Sequence, residues 1–430
     1  MASAIDQPAA GPGASPPPAS PCGVRASLDA ARRWEPAIDA WVYLDHAAAD
    51  IGRETLAAGP LAGAAFGVKD VIDVLDMPTA FGRTDIGSGR IAAADAAVVA
   101  ALRAAGAVPI GKTRSTAYAF IDPTTTRNPY DLSRSPGGSS SGSGAVVGAG
   151  VTPFALGTQT AGSLCRPAAY CGAYAYKPSL GAMPTTGMAP LSRSFDAIGV
   201  IAASHAWLER VYAVLADAFH LGAMRQCTTP LKIAALTTPE QAPEAGMRQA
   251  FAGACDRLTG AGHSIRPAPA PVSFAQVIDD HRTIMLAEAA RDLLPRIGAD
   301  RSGLPPLLAA ALAEGAMIRP SDVTAAERRI AEARARFWAA FQEDDLILAC
   351  PTPGPAPAGF KTTGDQSYLT PWTALGGPLT AIPSGLDAAG LPLGLLLAAA
   401  PGQDGALIGR SAAVADLLPR LPRPALPAAE

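Results

Sequence analysis

The sequence predicts an α/β layer protein, in which strands and helices alternate along the chain. Three observations lead there. Short apolar runs at 64–73, 108–110, 153–157, 346–349 and 379–398 read as buried strands. Helical apolar spacing separates them, most clearly at 93–105 and 320–342. Hydrophobic residues make up 49% of the 430 and charged residues only 17%, enough apolar surface for one large core.

Residues 1–26 are dominated by Pro, Ala and Gly and are expected to form a disordered leader. The ordered domain is expected over 27–418. It opens with a helix across SLDAARRWEPAIDAWVYLD, which starts on Ser27 and keeps helical spacing. AAFGVKDVID, at 64–73, is a strand with β-branched residues. The helix at 93–105 stops at Gly106, and a short strand follows at 108–110. Residues 133–150 begin as a Gly/Ser loop and become an Ala/Val/Gly helix. A strand at 153–157 leads into a second small-residue loop, GTQTAGS. From about 201 to 345 the chain reads as mainly helical. Strands return at 346–349, and LTAIPSG and LPLGLLLAAA frame a turn within 379–398. A helix closes the domain at 406–418, and 419–430 is expected to be a flexible tail.

Composition excludes several classes. There are 34 basic and 37 acidic residues, whereas a general nucleic-acid binder carries a basic excess. No uninterrupted apolar run reaches about 18 residues, so neither a membrane helix nor a membrane partner is expected. Residues 1–23 lack the basic start and apolar core of a secretory signal. The six cysteines form no CxxC pair and no zinc pattern with histidine. They are expected to be free thiols in a cytoplasmic protein.

Two motif matches fail on physical grounds. GAVPIGKT, at 106–113, fits the phosphate-loop pattern GxxxxGK[ST]. That loop needs flexible backbone between a strand and a helix. Here a helix ends at Gly106, VPI is stiff and apolar, and Pro109 lacks the amide a phosphate would need. GSSSG, at 138–142, fits the GxSxG nucleophile elbow, which needs a strand directly before it. A polar loop with two prolines precedes it. The five histidines (His46, His205, His220, His263, His281) lie outside the glycine-rich regions, which argues against a Ser-His-Asp enzyme.

Lys69, the Ser/Gly loop at 137–144 and the loop at 157–166 remain. Singly, each has an ordinary reading: Lys69 at a strand end or paired with Asp70 or Asp73, Ser139 in a turn, Ser163 as a helix N-cap. Together and in order they resemble the amidase signature family. The central match is GGSSSGSGAVVGAGVTPFALGTQTAGSLCRPAAYCG, from Gly137 to Gly172. FGVKD, GAVPIGKT, TRNPYD, KPSLGAMPTTG, FDAIGV and GLPLGLLLAAAPGQD extend it outward, so that it spans about 27–418 and fits only loosely over 201–345.

The resemblance implies a single large domain with a mixed central β-sheet covered by helices. It implies that Ser163 is the nucleophile, that Ser139, 24 residues earlier and after a cis peptide bond, is a bridging serine, and that Lys69 is the general base. The amides of Thr160, Ala161, Gly162 and Ser163 would form an oxyanion hole. Gly138, Tyr118, Ala119 and Phe120 would touch substrate, and 201–345 would shape the pocket and lid. The chemistry agrees. A serine needs a base, and a lysine serves as one only when burial lowers its pKa from about 10.4. A hydroxyl such as that of Ser139 both donates and accepts, so it can pass a proton. The implied reaction is hydrolysis of a small-molecule amide, aryl amide or carbamate through an acyl-enzyme, without metal or organic cofactor. Family members are often homodimers. Two positions depart from the pattern: Gln159 stands where many members have Asp, and the arginine is at 166 rather than 165. Competing readings are the glutamine-amidase subunit of a tRNA-dependent amidotransferase, and a non-catalytic scaffold.

Overall fold

Alternation along the strands decides where everything else packs. The structure, a computed structural model, describes residues 23–50, 59–83, 89–225, 227, 229–238, 241–298, 301 and 303–426. The expected leader therefore lies outside the described residues up to position 22. The strands are β1 (Trp41–Leu44), β2 (Ala65–Lys69), β3 (Pro78–Thr79), β4 (Arg90–Ile91), β5 (Val108–Thr113), β6 (Phe154–Gln159), β7 (Tyr174–Lys177), β8 (Ala197–Ala202), β9 (Lys232–Thr237), β10 (Ser264–Pro269), β11 (Leu346–Ala349), β12 (Leu379–Leu386) and β13 (Pro392–Ala398). Eleven of them form one sheet in the order β1-β5-β2-β6-β8-β7-β12-β13-β11-β9-β10, while β3 and β4 make a separate ribbon. β5, β2 and β6 run parallel to one another, as do β11, β9 and β10. The β6–β8–β7–β12–β13–β11 neighbours are antiparallel. The mixed sheet expected from the resemblance is thus present.

Successive strand residues face opposite sides. On one face Ala65, Ala155, Ile201 and Leu396 pack with α1 (Val24–Ile38), α3 (Ser141–Gly148) and α4 (Cys165–Tyr170). On the other, Phe66, Val68, Phe154 and Leu156 pack with α2 (Ala97–Ala104) and α5 (His205–Phe219). Further along that second face α6 (Ala245–Gly260) and α11 (Asp404–Ala415) cover Ile233, Leu348 and Leu395. α7 (Phe274–Ile297), α8 (Pro306–Gly315) and α9 (Pro320–Ala339) share an apolar cluster of their own with Tyr118 and Phe120. α10 (Thr370–Leu375) lies against α7 and α9. No described helix is long and apolar enough to cross a membrane.

The first helix departs from expectation at both ends. It begins at Val24, inside the expected leader, because the Gly23 carbonyl accepts from Ser27 and opens the helix there. It also ends early. Asp39 adopts the left-handed conformation (φ 47°), and the Glu35 carboxylate accepts from the Ala40 and Trp41 amides, so WVYL leaves as β1. The 201–345 section is mainly helical, as expected, and β9 and β10 within it extend the sheet. The apolar run of β9, IAAL, is short, and β10 is interrupted by Arg266, so both are easily lost between long helices. Residues 419–426, the described part of the tail, have no regular structure, and the Pro422 carbonyl accepts from Tyr130 Oη at 2.9 Å.

The rejected motifs now have structural explanations. Residues 108–113 are the strand β5, and Lys112 points to Asp70 at 3.8 Å and donates to Thr79 Oγ1 at 2.8 Å. In the GSSSG run, Gly142 sits where a Cβ would strike the Ala40 carbonyl and the Arg114 amide. It lets α3 press against the chain on either side of β1 and β5.

Candidate active site

Alternation in β2 sends Lys69 to the same face as Ala65, the side packed by α3. β6 runs parallel beside β2, with Val68 opposite Leu156, so Thr158 comes level with the end of β2. Lys69 Nζ donates to Thr158 Oγ1 at 2.6 Å and to Ser139 Oγ at 2.7 Å. Lys69 and Ser139 are fully buried. Burial holds the Lys69 amine well below its usual pKa; the Asp196 carboxyl opposes this shift and Arg166 adds to it.

Ser139 follows a non-proline cis peptide bond after Gly138. Its carbonyl accepts from the Thr116 amide at 3.2 Å. The neighbouring Ser140 is structural: its hydroxyl accepts from the Thr158 amide at 3.2 Å, and its own amide donates to the Ser163 carbonyl at 3.2 Å. The second bond ties the Ser163 backbone to the residue that follows Ser139, although 24 residues separate the two serines in sequence. Ser163 is 7% exposed, the most open of the three.

The loop after β6 is braced by the two positions that depart from the family pattern. Gln159 Oε1 accepts from the Leu164 and Cys165 amides at 3.1 and 3.0 Å, and Nε2 donates to Thr373 Oγ1 at 3.0 Å. Thr373 Oγ1 in turn donates to the Ala161 carbonyl at 2.5 Å. Buried Arg166 donates to the Gly138 carbonyl at 2.7 Å. The brace is thus rebuilt from amide and backbone partners. Thr160 Oγ1 donates to Asp196 at 2.5 Å, and the Thr160 carbonyl accepts from His281 Nε2 on α7 at 2.7 Å. Burial raises Asp196 to about 7 and lowers His281 to about 4. Among the described residues, the amides of Ala161, Gly162 and Ser163 donate to no acceptor.

Tyr118, Ala119 and Phe120 form and follow a one-turn helix at Ala117–Ala119, just after Thr116, whose amide donates to the Ser139 carbonyl. All three are buried, and Tyr118 stacks on Phe81 with ring centroids 5.7 Å apart. Sequence reasoning missed Thr158, Asp196, His281, Thr373 and Phe81. Thr158 and Asp196 lie inside segments that carry the resemblance, in GTQT and FDAIGV. His281 stands in the loosely matching section, where no motif marks it.

A family model described as Amidase matches residues 23–408. Amidase 1 of Arabidopsis thaliana is 41% identical over 168 residues, covering 37% of this chain and 40% of that protein. A glutamyl-tRNA(Gln) amidotransferase subunit of Treponema pallidum is 47% identical over 151 residues, covering 33% of this chain and 29% of that protein. The matched segment is thus two fifths or less of these curated relatives. The solved peptide amidase of Stenotrophomonas maltophilia is similar over 94% of both chains, with a TM-score of 0.78 at 26% identity.

Proposed function

The chain belongs to the Amidase family, and from that premise we propose that it is a serine amidohydrolase with Ser163 as nucleophile, Ser139 as bridging proton carrier and Lys69 as general base. The Lys69 amine carries this reading: it is fully buried, lowered in pKa, and 2.7 Å from the hydroxyl of Ser139, whose neighbour Ser140 donates its amide to the Ser163 carbonyl. In the neutral amine an N–H directed at Thr158 leaves the lone pair for the Ser139 proton. Ser139 then accepts the Ser163 proton as Ser163 Oγ attacks the substrate carbonyl carbon. The carbonyl electron pair moves to oxygen, which the amides of Thr160, Ala161, Gly162 and Ser163 face. Collapse of this intermediate breaks the C–N bond, and the leaving nitrogen takes the proton back through Ser139. Water hydrolyses the acyl-enzyme by the same path and releases Ser163.

An amide and a carbamate offer the same carbonyl to Ser163, so both belong to the substrate class. Gly138 precedes Ser139, and Tyr118, Ala119 and Phe120 follow Thr116, which bonds to the Ser139 carbonyl; all four are assigned to the pocket wall, with α7 packed against Tyr118 and Phe120. A second reading, the glutamine-amidase component of an amidotransferase, draws on the identity to the Treponema pallidum protein. Glutamine turnover that requires a co-purifying partner would favour it. The deciding experiment is fluorophosphonate labelling with peptide mapping of the wild type and Lys69→Ala. An adduct on Ser163 that largely disappears in the variant supports the mechanism. An adduct on Ser140 refutes it.

A further inference from the structure

Two consecutive peptide units in the loop after β6 are held from behind. A trans peptide is planar, and its carbonyl and N–H point in opposite directions. A donor that holds the carbonyl therefore aims the N–H. Among the described residues the one cis bond is Gly138–Ser139, so the units 160–161 and 161–162 are trans. The Thr160 carbonyl is held by His281 Nε2, and its unit ends in the Ala161 N–H. The Ala161 carbonyl is held by Thr373 Oγ1, and its unit ends in the Gly162 N–H.

We propose that His281 and Thr373 are positioning residues that aim the Ala161 and Gly162 amides at the developing oxyanion, an inference that rests on Ser163 being the nucleophile. Proton placement supports it. A carbonyl oxygen only accepts, so His281 Nε2 carries the ring proton. The imidazole is fully buried against the Phe195 ring, 4.3 Å between centroids, and burial keeps it neutral. Thr373 has a single hydroxyl proton. Because Gln159 Nε2 donates to the Thr373 oxygen, that proton is left for the Ala161 carbonyl. The orientation of the Gln159 amide is itself fixed, since its oxygen accepts two backbone N–H groups. A carboxylate at 159 would compete for the Thr373 proton and leave the Ala161 carbonyl unheld. The glutamine that departs from the family pattern is therefore a working part of this chain of donors. Thr160 is further pinned by its hydroxyl on Asp196, so the first unit is held at side chain and backbone together.

The test compares wild type, Thr373→Val, Thr373→Ser, His281→Phe and Gln159→Glu. Each is assayed for its fluorophosphonate labelling rate at Ser163, its kcat and KM on a chromogenic aryl amide, and its thermal midpoint. The phosphoryl oxygen of the probe occupies the oxyanion position, so labelling reports on the same amides. Thr373→Val and His281→Phe keep side-chain bulk and lose the donor. Removing one oxyanion donor outright typically lowers kcat by about 10²–10³-fold. A misaimed one should slow labelling and kcat by roughly 10- to 100-fold with KM nearly unchanged, because the contact forms only in the transition state. Gln159→Glu should behave like Thr373→Val, and Thr373→Ser should recover most of the rate. Wild-type labelling rates in folded Thr373→Val and His281→Phe would overturn the inference alone. A wild-type adduct on a serine other than Ser163 would overturn the nucleophile assignment and the inference with it. Should His281→Phe not fold, Thr373→Val and Thr373→Ser decide the matter.

Discussion

Replacing Lys69 by Met should change how stability depends on pH, and this tests the neutral base without any substrate. Methionine nearly matches the lysine stem in volume and cannot titrate. Burial lowers the Lys69 pKa in the native state, while the unfolded chain titrates near the ordinary value of about 10.4. Between those two values the unfolded state binds one proton more than the native state. Stability must therefore rise with pH across that window, at about 1.4 kcal/mol per pH unit for this one group. The mechanism needs Lys69 neutral at working pH, so the window covers pH 7.5 to 9.5. Over that span wild type should gain about 2.7 kcal/mol relative to Lys69→Met. Lys112 and Lys177, both lowered to about 8, are present in both proteins and cancel in the difference. The hydrogen bonds lost at Ser139 and Thr158 shift the variant by a constant amount and leave the slope alone. Urea unfolding at five pH values gives the two curves by linear extrapolation. Parallel curves, with a difference that changes by less than about 0.3 kcal/mol per pH unit, would mean that Lys69 is charged in the fold and cannot be the base. In the same variant amide turnover should drop by at least about 100-fold, the lower end for a general base.

Thr158→Val removes the acceptor that orients the Lys69 amine, and kcat should fall about fivefold, with Thr158→Ser recovering it, since a single neutral hydrogen bond contributes about 1 kcal/mol. Asp70→Asn takes the negative charge from beside buried Lys112 and one acceptor from the Ala80 and Gly82 amides. Urea unfolding at pH 7 should show a loss of about 3 kcal/mol, the usual cost of leaving a buried charge unpaired, and a loss below about 0.5 kcal/mol would contradict the pairing. Gly142→Ala pushes a methyl group into the Ala40 carbonyl and the Arg114 amide, so the thermal midpoint should fall by several degrees, for a cost above about 2 kcal/mol.

The layered α/β fold was legible because strand and helix periodicities differ, and most elements lie within a few residues of where those periods put them. β11 coincides with its expected range, as do the starts of α9 and β12. Boundaries set by a single side chain were not legible. The Glu35 carboxylate capping Ala40 and Trp41 turns a run of helical spacing into a strand, and spacing alone carries no trace of that bond. The last two strands of the sheet order, β9 and the edge strand β10, were hidden for a different reason. Their alternating exposure is weak, and two prolines in β10 dilute its apolar run. In the site, Lys69 donates to Ser139, and the amide of the next residue, Ser140, donates to the Ser163 carbonyl; each of these residues sits in a segment that carries part of the resemblance. Asp196, His281 and Thr373 act through contacts made only in three dimensions, from positions 36, 121 and 212 residues away from their partners.

Three buried lysines lie in this sheet, and their neighbours separate the candidate base from the structural pair. Lys112 has the Asp70 carboxylate at 3.8 Å and also donates to the Pro78 carbonyl and Thr79 Oγ1. Lys177 donates to the Pro178 carbonyl at 2.6 Å. Carboxylates and carbonyls only accept, so they suit an ammonium, which only donates. Lys69 is different: among the described residues its hydrogen-bond partners are two hydroxyls, Ser139 and Thr158. A hydroxyl can also donate, so this pair serves the neutral amine, taking an N–H on one side and offering a proton to the lone pair on the other. The same burial acts on all three amines, and Lys69 is the one held well below its ordinary value while the others settle at about 8. Substituting an acceptor-only group for either hydroxyl, as in Thr158→Asp, should therefore raise the Lys69 pKa and convert the base into a third structural ammonium.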